Sequence, residues 1–187
     1  MNYRRSYFLA LCFSVLGGCG KVDLQWSEEV QLSSEKTIVV KRTAKGEKLG
    51  EIGGTGGWQQ KEMSVEINAR DSIAFDPPVW RTAYVPVLLD YDASQKEWLI
   101  VATFYTCQGW YDLGRPALPY VEYRVADGGQ WRVVPLDKEL IGRKTNMLSG
   151  VSSGGEPPLL TLKEKKNRDL DAGKKYRNII GYWQSNC

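Results

Sequence analysis

The chain has 187 residues, a formal net charge of +3 and no histidine. A chain of this length buries a core without help from a metal or cofactor, and the missing histidine excludes Ser-His-Asp and Cys-His catalysis and imidazole zinc sites within it. So small a charge implies no nucleic-acid partner.

Arg4 and Arg5 precede an apolar run, Tyr7 to Leu16, which is interrupted by Ser14 and ends in Leu16-Gly17-Gly18-Cys19. The run is shorter than the about 20 apolar residues a transmembrane helix needs. With the Cys directly after two glycines, the segment resembles a bacterial lipoprotein signal. The resemblance implies cleavage between Gly18 and Cys19, loss of residues 1–18 together with Cys12, and lipid attachment at Cys19. Each buried methylene contributes about 0.8 kcal/mol, and two acyl chains hold where one is marginal. Gly20 stands where enteric inner-membrane lipoproteins carry Asp, so the expected place is the outer membrane, facing the periplasm. Loss of Arg4 and Arg5 leaves a net charge of +1. The competing reading is a plain secreted protein.

Residues 19–35, polar at Asp23, Ser27, Glu28, Glu29, Ser33 and Ser34, read as a lipidated start and flexible tether, with Trp26 and Val30 able to dock. Residues 36–187 read as one β-rich domain. Thr37 to Lys41 carries a strand signal. Gly50 to Gly57 lacks the Gly-Lys-Ser/Thr ending of a phosphate loop and reads as a hairpin tip. Met63, Val65 and Ile67 alternate with Ser64 and Glu66 as a strand does, and Asp76-Pro77-Pro78 breaks the chain. Tyr84 to Tyr91 and Trp98 to Tyr105 predict a central hairpin buried on both faces.

After the long connection Gln108 to Pro119, Tyr120 to Val125 and Gln130 to Pro135 form a second hairpin. The shared apolar face of Val121, Tyr123 and Val125 selects a three-residue loop pairing Tyr123 with Val133 and Val125 with Trp131. A short helix is expected from Asp137, then a Ser149 to Pro158 loop and a strand at Leu159 to Leu162. A charged turn or strand end follows over Lys163 to Asp169, and a last strand over Tyr176 to Trp183. The expected fold is mostly β: a single antiparallel β-sandwich or irregular barrel-like domain with at most one or two short helices. Trp110-Tyr111, Leu113-Gly114-Arg115-Pro116 and Tyr120-Val121 together resemble segments of uncharacterised proteobacterial proteins, a likeness that carries no activity.

Cys107 and the terminal Cys187 remain in the mature body and are expected to form a disulfide in an oxidising compartment. Asp90-Tyr91-Asp92-Ala93-Ser94 resembles the start of a calcium loop, but Gln95 and Val101 stand where the turn glycine and bidentate glutamate belong, so a solvated turn is expected. Glu122 with Asp90 or Asp112 is the candidate pair for a carboxylate hydrolase. Beside Arg124, however, Glu122 reads as part of a surface charge cluster. Lys163 to Arg168 reads as a solvated run, with attraction to anionic headgroups as the sharper alternative.

Trp98 and Trp131 are expected in the core, whereas Trp110, Tyr111, Arg115 and Tyr120 form a candidate partner surface for an envelope protein or glycan. No metal or cofactor is called for, and the oligomeric state is left open. The leading expectation is a lipid-anchored cell-envelope protein with a non-catalytic binding or structural β domain. The alternatives are a His-independent hydrolase acting on cell-wall glycan and a surface exclusion or inhibitory lipoprotein.

Overall fold

The computed structural model describes residues 20–49, 57–69, 73, 75–104, 106–151, 154–170 and 177–187. Cys12, the lipobox with Cys19, residues 50–56 of the glycine-rich stretch, Tyr105 and Tyr176 lie outside the described residues.

Two sheets pack face to face. The first has the order β4 (Trp80–Thr82), β3 (Gly57–Ile67), β2 (Thr37–Leu49), β1 (Lys21–Gln31), β9 (Leu159–Leu160); the second runs β5 (Val85–Asp92), β6 (Glu97–Thr103), β7 (Tyr120–Ala126), β8 (Arg132–Val134). Every pairing is antiparallel except the short contact of β9 with β1. Among the described residues the result is a mostly β, sandwich-like domain with two short α-helices, α1 (Cys107–Asp112) and α2 (Leu162–Leu170), and no closed barrel. Among the described residues, no helix is long and apolar enough to cross a membrane.

Alternation assigns the faces. Trp26, Val30, Val40, Ala44, Met63, Val65 and Trp80 of the first sheet meet Leu89, Trp98, Ile100, Val121, Tyr123 and Val125 of the second in one continuous core. Trp80 meets Tyr123 edge to face, with centroids 5.4 Å apart. The second sheet is also covered behind, where Leu88, Leu99 and Val101 pack under Leu140 and Ile179. This accounts for the double-sided apolarity of the central hairpin. The backbone N–H groups of Asn146 and Met147 donate to the Val87 carbonyl, and the Asn146 side chain both accepts from the N–H and donates to the carbonyl of Leu89. That cover protects the β5 edge from pairing with another chain.

The expected tether is instead β1. It pairs with β2 over its whole length, from Lys21↔Glu47 to Gln31↔Thr37. Its inward row is Val22, Leu24, Trp26, Glu28 and Val30, so the apolar period was present but broken by Glu28. On β2 the inward row Ile38, Val40, Arg42 and Ala44 is broken by Arg42. The two exceptions complement each other. Arg42 and Glu28 are fully buried, and Arg42 Nη1 donates to Glu28 Oε2 at 2.8 Å and to the Leu148 carbonyl at 2.8 Å. Glu28 Oε1 accepts from the Leu148 N–H at 2.7 Å and lies 2.6 Å from Lys165 Nζ. Lys165 also donates to the carbonyls of Glu29 and Asn146, and Arg42 lies over the Trp26 ring at 4.9 Å.

The structure corrects three further expectations. Leu162–Leu170 is helical rather than a charged turn, and Lys165 inside it is buried rather than solvated. Helical geometry brings Glu164 back to cap Thr161, whose N–H and hydroxyl both donate to Glu164 Oε2. The last segment makes a single bridge, Lys144↔Asn178, instead of a strand, because it covers the back of the second sheet rather than joining it. Glu122 and Arg124 form no surface cluster: both are buried and joined at 2.5 Å, and Glu122 also accepts the Asp137 N–H. The segment after β8 covers this outward face. The expected pairing Tyr123↔Val133 is present.

Burial pushes the Glu28 carboxyl up, but the charges and hydrogen bonds of Arg42 and Lys165 outweigh it and hold the group below its ordinary value of 4.5. A carboxyl lowered on folding stabilises above its unfolded value, and that stability is lost as pH falls through the folded one. Glu28→Gln is expected to destabilise by about 3 to 5 kcal/mol, because it leaves two cations facing a neutral amide. It should also remove part of the stability loss expected as pH falls below 4.5. Urea unfolding at pH 7 and pH 4 measures both effects, and equal loss at both pH values in variant and wild type would contradict the pH assignment.

Candidate functional site

The segment after β6 is fixed by its own chemistry. Thr106 caps α1, its hydroxyl accepting the Gly109 N–H at 3.2 Å. Gly109 lets the helix approach the sheet: a Cβ there would lie 2.9 Å from Phe104 Cβ and 3.5 Å from the Tyr84 ring. Cys107, at the first position of α1, is bonded to Cys187, with Cα atoms 5.4 Å apart, which closes the chain across 80 residues. The expected disulfide is therefore present.

Trp110, Tyr111, Arg115 and Tyr120, the expected partner surface, gather around this clasp. Trp110 packs on Tyr111 and Trp183 and donates its indole N–H to the Pro116 carbonyl. Arg115 lies over Trp110 and Tyr111 at 5.9 and 5.3 Å. The Tyr111 hydroxyl donates to the Cys187 carbonyl at 3.1 Å, and the Tyr120 hydroxyl accepts from the Ile180 N–H. Much of this aromatic surface thus serves to hold the chain end. What remains outward includes Tyr111 and Tyr182, the latter 78% exposed.

Two hollows flank the segment. One, of about 500 Å³, is an apolar groove between the Leu113 to Val121 stretch and β8, lined by Leu113, Pro116, Leu118, Val133, Val134 and Leu136 among others. Val133 on its rim is 61% exposed. The other, of about 520 Å³, opens at the end of the sandwich between β3, the start of β5 and α1. A β-bulge at Lys45/Gly46 shapes it. Beyond the bulge, Trp58 and Gln60 of β3 become the half-buried residues, while the more exposed Gln59 and Lys61 also line the hollow. Trp58 donates to the Val151 carbonyl and Gln60 to the Ala83 carbonyl. Tyr84, Phe104, Gln108 and Asp112 complete the wall, over a floor that includes Met63 and Val85. Burial and then the Asp112 carboxylate push the Tyr84 phenol above its ordinary value. No motif foretold this cleft, since its aromatic and amide residues are dispersed over β3, the residue before β5, the residue after β6 and α1.

The candidate acids do not converge. Asp90 is buried, pairs with Arg143 at 2.7 Å and accepts from the N–H groups of Ser33 and Tyr91. Glu122 is held by Arg124, and Asp112 is exposed on α1, hydrogen-bonded to Gln108. Asp92 closes the expected turn, accepting from Ser94 and Gln95. Among the described residues, no group of three or more His, Cys, Asp or Glu side chains is placed to hold a metal. Compared with known proteins, the chain matches no family model, no curated protein and no solved structure.

The disulfide is expected to contribute roughly 4 to 5 kcal/mol on the chain-entropy account of a loop this long. Thiol labelling of the denatured, unreduced protein should find both cysteines blocked. Cys187→Ser should lower stability by several kcal/mol and expose the last residues to carboxypeptidase. Unchanged stability in that variant would show that the contacts of Tyr111 and Trp183 suffice alone.

Proposed function

We propose that the protein is a lipid-anchored component of the cell envelope, attached through Cys19, whose β domain binds another envelope component without catalysis. The observation that carries the reading is the apolar groove beside the Trp110 to Tyr120 segment, pre-formed and braced by the disulfide and the Trp110–Trp183 contact. Preorganisation of that kind lowers the entropy lost on binding. Anchoring adds effective concentration, so a modest contact suffices. The hydrolase alternative loses support because Glu122 and Asp90 are each occupied by an arginine and Asp112 stands apart from both.

Two measurements test this. Cys19→Ser should move the protein from the membrane fraction to the soluble one; retention would reject the lipid anchor. A photo-crosslinker at Ala117, exposed on the groove wall, should capture a discrete envelope protein in cells, and Val133→Asp should abolish that capture. Capture unaffected by Val133→Asp would reject the groove.

A further inference from the structure

We propose that the cleft between β3, β5 and α1 is a binding site for an N-acetylated amino sugar. Its volume, about 520 Å³, falls within the range of small-ligand sites. A sugar ring presents flat C–H faces and a rim of hydroxyls, and the cleft answers both. Trp58, Tyr84 and Phe104 supply aromatic surface, and Gln60, Gln108, Thr106 and Asp112 supply amide, hydroxyl and carboxylate groups around it. Met63 and Val85, both buried, give an apolar floor. An acetamido group joins a methyl to an N–H and a carbonyl, so it matches a site in which apolar floor and amide rim lie side by side. Apart from Asp112 and Lys61, the latter donating to Gln59 and lying 3.8 Å from Glu47, the rim groups are neutral donors and acceptors, which disfavours a phosphorylated ligand.

The walls are fixed before any ligand arrives. The disulfide and the Thr106 cap hold α1, the bulge sets Trp58, and the Trp58 indole is tied to Val151. The site's chemistry stands on this geometry. Only the source of the sugar, a glycan of the cell envelope, rests on the function proposed above.

The test titrates the purified protein, disulfide intact, with the β-1,4-linked tetramer of N-acetylglucosamine, following tryptophan fluorescence and calorimetry. Saturable binding is expected, weakened at least tenfold by Trp58→Ala and by Gln108→Ala and unchanged by Val39→Ala on the outward face of β2. Gln108 is exposed, so its variant separates binding from folding, and an unshifted Tm confirms it. Three results would overturn the proposal: no saturation by about 10 mM, tenfold above a millimolar Kd; equal binding of the corresponding glucose tetramer; or undiminished binding by both cleft variants. Failure of the anchor reading shows separately, as retention of Cys19→Ser in the membrane fraction.

Discussion

The structure depends on one carboxylate buried between two cations. Glu28 sits on the inward face of β1 with no exposed surface, where an unpaired charge would be prohibitive. Arg42 and Lys165 both reach it, and the peptide N–H of Leu148 completes its coordination. The excess positive charge is spread over the carbonyls of Leu148, Asn146 and Glu29 and the face of Trp26. Burial and the nearby Arg42 charge lower the Lys165 ammonium from its ordinary value, while Glu28 works in the opposite direction. Such a cluster adds little stability over a hydrophobic core of the same shape, but it is unforgiving of misassembly. β1, β2, the Leu148 segment and α2 must all come together for these charges to pair, even though Arg42 Nε is left without a hydrogen-bond partner, so the ions favour this register and topology.

That selection reaches the cleft. Leu148 is gripped at both its N–H and its carbonyl by the ion cluster, and three residues further on the Val151 carbonyl receives the indole N–H of Trp58. The position of an aromatic wall thus follows from charges in the core. The opposite wall has an independent support, the disulfide that binds α1 to the chain end. Two unrelated devices, one ionic and one covalent, fix the two sides of a single hollow. Rigidity of this sort is what a small polar ligand requires, because the energy gained from a few hydrogen bonds is easily consumed by ordering the site.

Much of the fold was legible from the sequence. The double-sided apolarity of Val85–Asp92 and Glu97–Thr103, the face assignment of Val121, Tyr123 and Val125, and the pairing of Tyr123 with Val133 all follow from alternation and turn length. Apart from the last segment, the failures share a cause. Glu28, Arg42, Lys165, Glu122 and Arg124 are charged yet buried, and a reading that places charge in water turns β1 into a tether, α2 into a solvated run and Glu122 into a surface residue. The complementary signal was present but not local: an acid at an inward position of one strand and a base at an inward position of the next. Among the candidate site residues, Cys107 and Cys187 were legible because they are the two cysteines outside the amino-terminal segment. The cleft was not, since the bulge at Lys45/Gly46 shifts the alternation that sequence reasoning extends through Met63, Val65 and Ile67.

The loss of the tether changes what anchoring at Cys19 would mean. A flexible linker lets a domain sample orientations, whereas here Lys21 already pairs with Glu47 and the Gly20 carbonyl accepts the Lys48 N–H. Lys48 in turn stands opposite Trp58 on β3. With strands about 5 Å apart, Trp58 lies two strands, about 10 Å, from the first residues of β1. On the proposed anchoring, a lipid on Cys19 would hold the cleft end of the sandwich close to the bilayer, and a ligand would reach it within that thin layer. The groove beside β8 belongs to the other sheet. On the anchored reading, one molecule offers two differently placed surfaces: a cleft tied to the strand that carries the lipid, and a groove on the sheet that does not.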